Sequence, residues 1–134
     1  MSGAARAVLD TSVFIAAEDG RRLDEAGLPD EAAISVVTLA ELHAGVLAAS
    51  DVDTRARRLA TLAAVSDIEL LVIDESVAVG WARLRVLLAD DGRRANVNDL
   101  WIAATALAHD LPVVTQDADF TVIEELAGLR TISV

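Results

Sequence analysis

Short apolar runs alternate along the chain with longer segments whose apolar positions recur at helical spacing. Five runs predict strands, at residues 7–9, 32–35, 69–73, 111–115 and 130–134. The first has no alternation of apolar and polar positions, which is typical of a strand buried on both faces of a parallel sheet. Strands that alternate with helices predict an α/β fold with a mainly parallel sheet of four to five strands.

The segments between these runs predict helices at 11–17, 22–26, 36–49, 51 or 53 to about 65, 75–89, 99–109 and a short one ending near 126. The predicted N-caps are Thr11 or Ser12, Ser35, Asp74 and Asn98. Helix 36–49 is apolar on nearly all sides, which indicates a buried or doubly packed element. Its polar or small positions, Thr38, Glu41 and Gly45, share one face.

The composition limits the class of protein. A chain of 134 residues is of single-domain size, so residues 1–134 are expected to form one domain with a sizeable core. The absence of cysteine excludes disulfides and thiolate metal sites and is compatible with a reducing cytoplasm. The amino-terminal apolar run ends at Asp10, too short for a signal peptide or a membrane span. We therefore expect a cytoplasmic protein without a membrane partner.

The charge narrows the chemistry further. The formal net charge of −11 argues against a generic nucleic-acid binder, which would be basic. All the cationic side chains are arginine, and the lack of lysine excludes a P-loop, Schiff-base chemistry and a receiver-type phosphoacceptor site. An aspartate-based phosphohydrolase remains an alternative, but Ser12 stands where that chemistry needs its second acid.

Four acidic residues differ from the rest in their context. Asp10 follows the first strand directly and Asp117 follows the fourth by two residues, so both belong at the carboxyl edge of a parallel sheet, where α/β proteins bind ligands. Asp99 begins a predicted helix on its apolar face, and Glu41 is the one charge inside helix 36–49. Taken singly, each is equally a cap, a turn residue or a solvent-facing charge.

Taken together, the four acids predict a cluster, which needs a counter-charge. Carboxylates about 5 Å apart repel by roughly 3 kcal/mol per pair at an effective dielectric near 20. Such a cluster takes up protons or binds a hard cation. Since the chain has no cysteine and only two histidines, oxygen-ligated Mg²⁺ or Mn²⁺ is the expected occupant.

Four motifs follow one another along the chain: Asp10-Thr11-Ser12, Glu41 within 39–42, Asn98-Asp99 within 98–104, and Thr115 to Phe120. In this order they resemble the PIN domain, and more closely the VapC-type toxins of bacterial toxin–antitoxin pairs. The resemblance covers nearly the whole chain. It implies a three-layer α/β/α sandwich and a metal-dependent endoribonuclease that hydrolyses tRNA or other structured RNA, leaving 5′-phosphate and 3′-hydroxyl ends.

The resemblance also implies roles for residues and partners. Asp10, Glu41, Asp99 and Asp117 would be the catalytic acids that hold one or two Mg²⁺ or Mn²⁺ ions. Thr11, Ser12 and Thr115 would support them, and Asp119 would be a helix cap or an outer member of the cluster. The implied partners are RNA, a cognate antitoxin and a second copy of the chain. The alternative of another class is a catalytically silent PIN-like scaffold that binds a protein.

Two arginines are candidate RNA contacts. Arg93 and Arg94 lie on the predicted loop before the Asp99 helix, where they would grip flanking phosphates. The alternative is that both are solvated loop charges.

Overall fold

A five-stranded sheet lies at the centre of the structure, a computed structural model that describes residues 4–134. Its strands are β1 (Arg6–Leu9), β2 (Glu31–Ser35), β3 (Glu69–Leu71), β4 (Val113–Thr115) and β5 (Thr131–Ser133). They are ordered β3-β2-β1-β4-β5, and every neighbouring pair is parallel. Val8 of central β1 pairs with Ala33 on one side and Val113 on the other. The strand order reverses beside β1, which opens a crevice at the carboxyl ends of β1 and β4.

Within residues 4–134, six α-helices connect and cover these strands: α1 (Thr11–Glu18), α2 (Val36–Ala48), α3 (Val52–Ala64), α4 (Glu75–Asp90), α5 (Val97–Ala108) and α6 (Thr121–Ala127). The predicted α/β class and parallel sheet are therefore confirmed. The predicted helix at 22–26 is wrong in type and place, because only a 3₁₀ turn forms, at Glu25–Gly27. Pro29 follows closely and disfavours helical backbone in the residue before it.

The sheet is covered on both faces, because neighbouring residues of each strand point to opposite sides. Val8, Ala33 and Val113 pack with the buried residues of α4, α5 and α6. Their strand neighbours Leu9, Ile34 and Val114 pack on the other face with residues of α1, α2 and α3. The predicted three-layer sandwich is the observed arrangement.

Three helix starts agree with their expected capping. Ser35 Oγ accepts a hydrogen bond from the Val37 N–H at 3.1 Å, and Asp74 caps α4 through the Val77 N–H at 3.0 Å. Asp51, one of two predicted starts for α3, accepts from the Thr54 N–H at 2.8 Å. Such caps satisfy N–H groups that the first helical turn leaves unpaired.

The capping predictions for α1 and α5 are wrong. At α1, Asp10 occupies the cap position and makes no side-chain cap bond, because the hydroxyls of Thr11 and Ser12 bind carboxylates instead. At α5 the cap is Asn96, whose Oδ1 accepts from the N–H groups of Asn98 and Asp99. Asp99 is consequently the third residue of its helix and still lies in the positive first turn.

Helix α2 is less buried than its sequence predicts. Only Thr38 and Leu42 are buried, and Leu47 near its end is 82% exposed. The helix packs on α3 and also contacts α1, α5 and β2, and it leaves its remaining side open. The third strand is also shorter than predicted, because Val72 and Ile73 lie beyond its end and are exposed. No helix in residues 4–134 is long and apolar enough to cross a membrane.

Candidate metal centre

Asp10 lies at the carboxyl end of the central strand and is 3% exposed. Its Oδ2 atom accepts two hydrogen bonds, from Ser12 Oγ at 2.6 Å and from Thr115 Oγ1 at 3.0 Å. Its Oδ1 atom has no hydrogen-bond partner among the described residues, yet it keeps contact with solvent. One oxygen of this carboxylate is thus fixed by the fold and the other is free to bind a ligand.

The two hydroxyls also tie the first motif to the last. Ser12 Oγ accepts from the Gln116 N–H, and Thr115 Oγ1 accepts from the Asp117 N–H, both at 3.0 Å. Each hydroxyl therefore donates its proton to Asp10 and receives one from the backbone that follows β4. This network sets the position of Asp117 relative to Asp10.

Glu41 is positioned from α2 by a threonine of α1. Thr11 Oγ1 donates to Glu41 Oε1 at 2.7 Å and lies 3.0 Å from the hydroxyl of Thr38, which is fully buried. Because Thr11 is the first residue of α1 and Thr38 lies one turn before Glu41, these contacts join two helices at the edge of the sheet. The acid is half-buried and held beside the end of β1.

Asp99 is the electrostatic centre of this group. Burial raises the pKa of Asp99 to about 7, with further contributions from Asp10, Asp119, Glu41 and Asp117. Burial also raises the pKa of Asp117, followed by the charges of Asp10 and Asp119, while Arg21 opposes them. The structure therefore brings together acids from four separate segments of the chain around one helix start.

The residues present fit a hard divalent cation in their chemistry. The donors are carboxylate oxygens backed by small hydroxyls, which suits Mg²⁺ or Mn²⁺ and not a soft metal. In residues 4–134, however, no three Asp, Glu or His side chains already converge on one point as a finished ligand set. The acids are therefore close enough to repel one another, but they lie farther apart than the ligands of a complete coordination sphere.

Two residues contribute more than the sequence analysis predicts. Asp119, placed there outside the main group, acts on the pKa of Asp99 ahead of Glu41 and Asp117. Its signal is present in the sequence, because it follows Asp117 by two residues before a buried Phe120. Arg21, which lies in the loop after α1, lowers the pKa of Asp117, and no local pattern in the sequence predicts that effect.

The two candidate RNA contacts behave differently. Arg93 is ion-paired, with Nη1 at 2.8 Å from Glu125 Oε2 and 3.6 Å from Asp91 Oδ2. Arg94 is exposed and forms no ion pair within the described part of the chain. Of the two arginines, Arg94 is therefore the one whose charge is available to a ligand.

Comparison with known proteins matches the PIN domain family model over residues 7–126. The chain is 58% identical over 130 residues to Ribonuclease VapC5 of Mycobacterium tuberculosis H37Rv, covering 97% of this chain and 96% of that protein. It is 44% identical to Ribonuclease VapC4 of the same organism, covering 90% and 93%.

A solved structure agrees with these sequence matches. The crystal structure of VapBC-5, a toxin–antitoxin system of M. tuberculosis, matches with a TM-score of 0.90 at 55% identity, over 97% of this chain and 99% of that chain. Ribonucleases with the PIN domain generally depend on a divalent metal. The chain belongs to the PIN domain family, within the group of the VapC ribonucleases.

Proposed function

We propose that this protein is a divalent-metal-dependent endoribonuclease and the toxin of a toxin–antitoxin pair. The observation that carries the proposal is the convergence of Asp10, Glu41, Asp117 and Asp119 on Asp99. Its relatives are named ribonucleases, and a structural neighbour is a toxin–antitoxin system. Both support the same function for this chain.

The acids have different roles in this proposal. Asp10, Asp99 and Asp117 would hold the ion, and Glu41 would hold a water molecule or a second ion. The bound ion supplies a water of lowered pKa and neutralises charge on the phosphodiester oxygens. Ser12 and Thr115 keep Asp10 Oδ2 occupied, which leaves Oδ1 as the oxygen of Asp10 that would be available to an ion. Thr11 holds Glu41 in the same way.

Binding of a divalent ion would also reduce the repulsion between this acidic protein and RNA. A chain of net charge −11 with acids clustered at its site repels a polyanion. Neutralising part of the cluster makes the same edge able to accept a phosphodiester. The choice of Mg²⁺ or Mn²⁺, tRNA or other structured RNA as substrate, pairing with a second copy of the chain and a cytoplasmic location remain predictions from the sequence.

The apolar surface of the α2–α3 pair supports a protein partner. Leu47 and Val52 are each 82% exposed and Leu59 is 48% exposed on these two helices. Exposed apolar side chains grouped on two neighbouring helices are typical of a binding surface. We propose this face as part of the antitoxin site.

Cleavage of RNA by purified protein tests the function directly. We expect the wild type to cleave tRNA in Mg²⁺ or Mn²⁺ and not in EDTA. Asp99→Asn keeps the size of the side chain but removes the charge at the centre of the cluster, so cleavage is expected to fall at least ~100-fold, the usual scale for losing a group that stabilises transition-state charge. Asp30→Asn is the matched control, because Asp30 is exposed and lies before β2.

Two results would contradict the proposal. Undiminished cleavage by Asp99→Asn would show that a different site, or a contaminating nuclease, is responsible. A wild type that binds its partner but cleaves no RNA in any divalent metal would identify a silent scaffold instead.

A further inference from the structure

The arginines of this acidic chain are not equally engaged. Within residues 4–134, ion pairs involve Arg6, Arg21, Arg58, Arg93 and Arg130. Arg55 and Arg57 donate hydrogen bonds to Ala49 O and Thr54 Oγ1. The arginines with neither kind of partner in the described chain are Arg22, Arg83, Arg85 and Arg94.

Two of these four arginines line one cavity. It lies between the end of α4 and the start of α5 and has a volume of about 490 Å³. Arg85, Arg93 and Arg94 line it together with Leu88 and Leu100, and no acidic residue is among its lining residues. Pockets of about 300–1,000 Å³ hold small ligands in other proteins. The space is therefore large enough for a phosphate and part of its nucleotide.

The charge of this cavity comes from two side chains. The charge of Arg93 is balanced by its ion pairs with Glu125 and Asp91, so Arg93 lines the cavity without adding a free positive charge. Arg85 and Arg94 leave two positive charges facing a concave surface in a chain of net charge −11. A guanidinium is a planar fork of donors that matches phosphate and carboxylate oxygens, so the chemistry selects an anion.

Arg85 is held in place by an aromatic pair. Its Cζ lies 5.6 Å from the centroid of the Trp81 ring, within range of a cation–π interaction. Trp81 in turn stacks on Trp101, with ring centroids 4.8 Å apart and an interplanar angle of 16°. Trp101 follows Asp99 by two residues on α5. The anion cavity and the acid cluster are thus built on the same helix.

Arg94 is linked to the cluster by the chain itself. It lies five positions before Asp99, and an extended chain of that length spans at most about 18 Å. Successive phosphates in one strand of double-stranded DNA, taken as a guide to the spacing in a nucleic acid, are about 3.4 Å apart along the helix axis. A phosphate in the cavity and the scissile phosphate at the cluster would therefore lie within a few nucleotides of one another.

We propose that this cavity binds a phosphate group of the RNA substrate beside the cleavage position, with Arg85 and Arg94 as its ligands. The inference rests on the proposed ribonuclease function. An acidic peptide would satisfy the same charges, but the connection through Trp101 and the 94–99 segment to Asp99 favours the RNA strand. Arg85 and Arg94 then determine how the strand is placed, while the acids determine the chemistry.

Binding of tRNA in the Asp99→Asn background tests the proposal, because cleavage is lost there and every arginine variant is compared at the same charge of the acid cluster. Arg85→Ala and Arg94→Ala are each expected to weaken binding about tenfold, the usual effect of removing one charge-assisted hydrogen bond. The slope of log K against log salt concentration is expected to fall by about 0.7–0.9 for each phosphate that the variant no longer binds. Arg85→Gln and Arg94→Gln, which keep the aliphatic stem, are expected to give the same result.

Arg83→Ala is the matched control. Arg83 is exposed, lies on the same helix, has no partner in the described chain and does not line this cavity. The Arg83→Ala substitution removes one positive charge, as Arg85→Ala and Arg94→Ala do. An effect of net charge alone would therefore appear equally in all three variants. We expect Arg83→Ala to leave both the affinity and the salt slope unchanged.

The outcomes separate this inference from the proposed function. If the Arg85 and Arg94 variants bind tRNA like Arg83→Ala while the wild type still cleaves, the cavity is not an RNA site and only the inference is wrong. If they bind RNA normally but no longer bind polyglutamate, the cavity belongs to an acidic protein partner, which also overturns it. A wild type without any cleavage refutes the ribonuclease, and the binding comparison still decides the cavity.

Discussion

At the scale of single residues, small hydroxyls determine how the acids are presented. Ser12 and Thr115 occupy one oxygen of Asp10, and Thr11 occupies one oxygen of Glu41. A carboxylate that is fixed on one side has less freedom to lose when its other oxygen binds an ion. The hydroxyls thereby fix the acids of the proposed ion site in place before an ion binds.

Replacing Thr115 tests this positioning role. Thr115→Val keeps the shape but removes one donor to Asp10 and the acceptor for the Asp117 N–H, so we expect metal affinity and kcat to fall about 10–100-fold. Thr115→Ser retains the hydroxyl and is expected to restore both. Calorimetric Mn²⁺ titration with a parallel cleavage assay measures the effect. Wild-type metal affinity in Thr115→Val would contradict the role.

The raised pKa of Asp99 predicts how stability depends on pH without metal. Between the ordinary value of 3.8 and about 7, the folded chain holds a proton on Asp99 that the unfolded chain has released. The free energy of unfolding therefore falls as pH rises through this window. Asp99→Asn stays neutral throughout, so we expect it to become progressively more stable than the wild type from about pH 4 to about pH 8.

Urea unfolding in EDTA at several pH values measures this difference. Asp30→Asn is expected to follow the wild type, because Asp30 is exposed and outside the cluster. Parallel curves for the wild type and Asp99→Asn would mean that the carboxyl of Asp99 is not destabilised by its surroundings.

The sequence predicts where the candidate residues lie in the fold better than it predicts their contacts. Asp10 and Asp117 were placed correctly at the edge of the sheet, because strand ends can be located from apolar runs. The contact between Thr11 and Glu41 could not be predicted, since the two residues lie 30 positions apart on different helices. Such a pair depends on how α1 and α2 pack, which no local pattern encodes.

At the scale of elements, α5 contributes to both the acid cluster and the proposed anion cavity. Asp99 lies in its first turn, and Trp101 stacks on the neighbouring helix α4. Helices α4 and α5 pack closely along their length, and Leu100 and Ile102 are buried in their shared core. The start of α5 therefore positions both the central acid and the aromatic support of Arg85.

The cap of α5 gives a prediction with an internal control. Asn96→Ala leaves two N–H groups without their acceptor, so we expect a loss of about 1 kcal/mol in the free energy of unfolding. Asn98→Ala, two residues later on the exposed surface, is expected to change stability by less than about 0.5 kcal/mol. Chemical unfolding compares the two. A larger loss of stability for Asn98→Ala than for Asn96→Ala would mean that Asn98, and not Asn96, caps α5.

The element boundaries show where sequence patterns fail. Asn96 and Asn98 are both suitable N-caps for α5, so the sequence pattern does not distinguish between them. The exposed Val97 between them is also typical of a loop residue. Helix α2 has a core-like composition, yet its open side includes the exposed Leu47. The apolar content of a helix indicates that burying its surface is favourable. It does not indicate whether the same chain or a binding partner buries that surface.

At the scale of the whole molecule, topology brings the acids together. The order β3-β2-β1-β4-β5 places the ends of β1 and β4 side by side, although about 100 residues separate them in the sequence. The alternation of strands and helices predicts a parallel sheet, but it does not specify which strand neighbours which. The order depends on how each crossover packs, so the convergence of the motifs was an inference from chemistry and resemblance.

We propose that these separate segments hold one divalent ion between them. Diffraction from crystals soaked in Mn²⁺, recorded where manganese scatters anomalously, tests it most directly. We predict a peak within about 2.0–2.6 Å of carboxylate oxygens from both Asp10 and Asp99, lost in Asp99→Asn. Saturating Mn²⁺ with no peak at the carboxyl ends of β1 and β4, or a peak held by other residues, would show that the acid cluster is not the metal site.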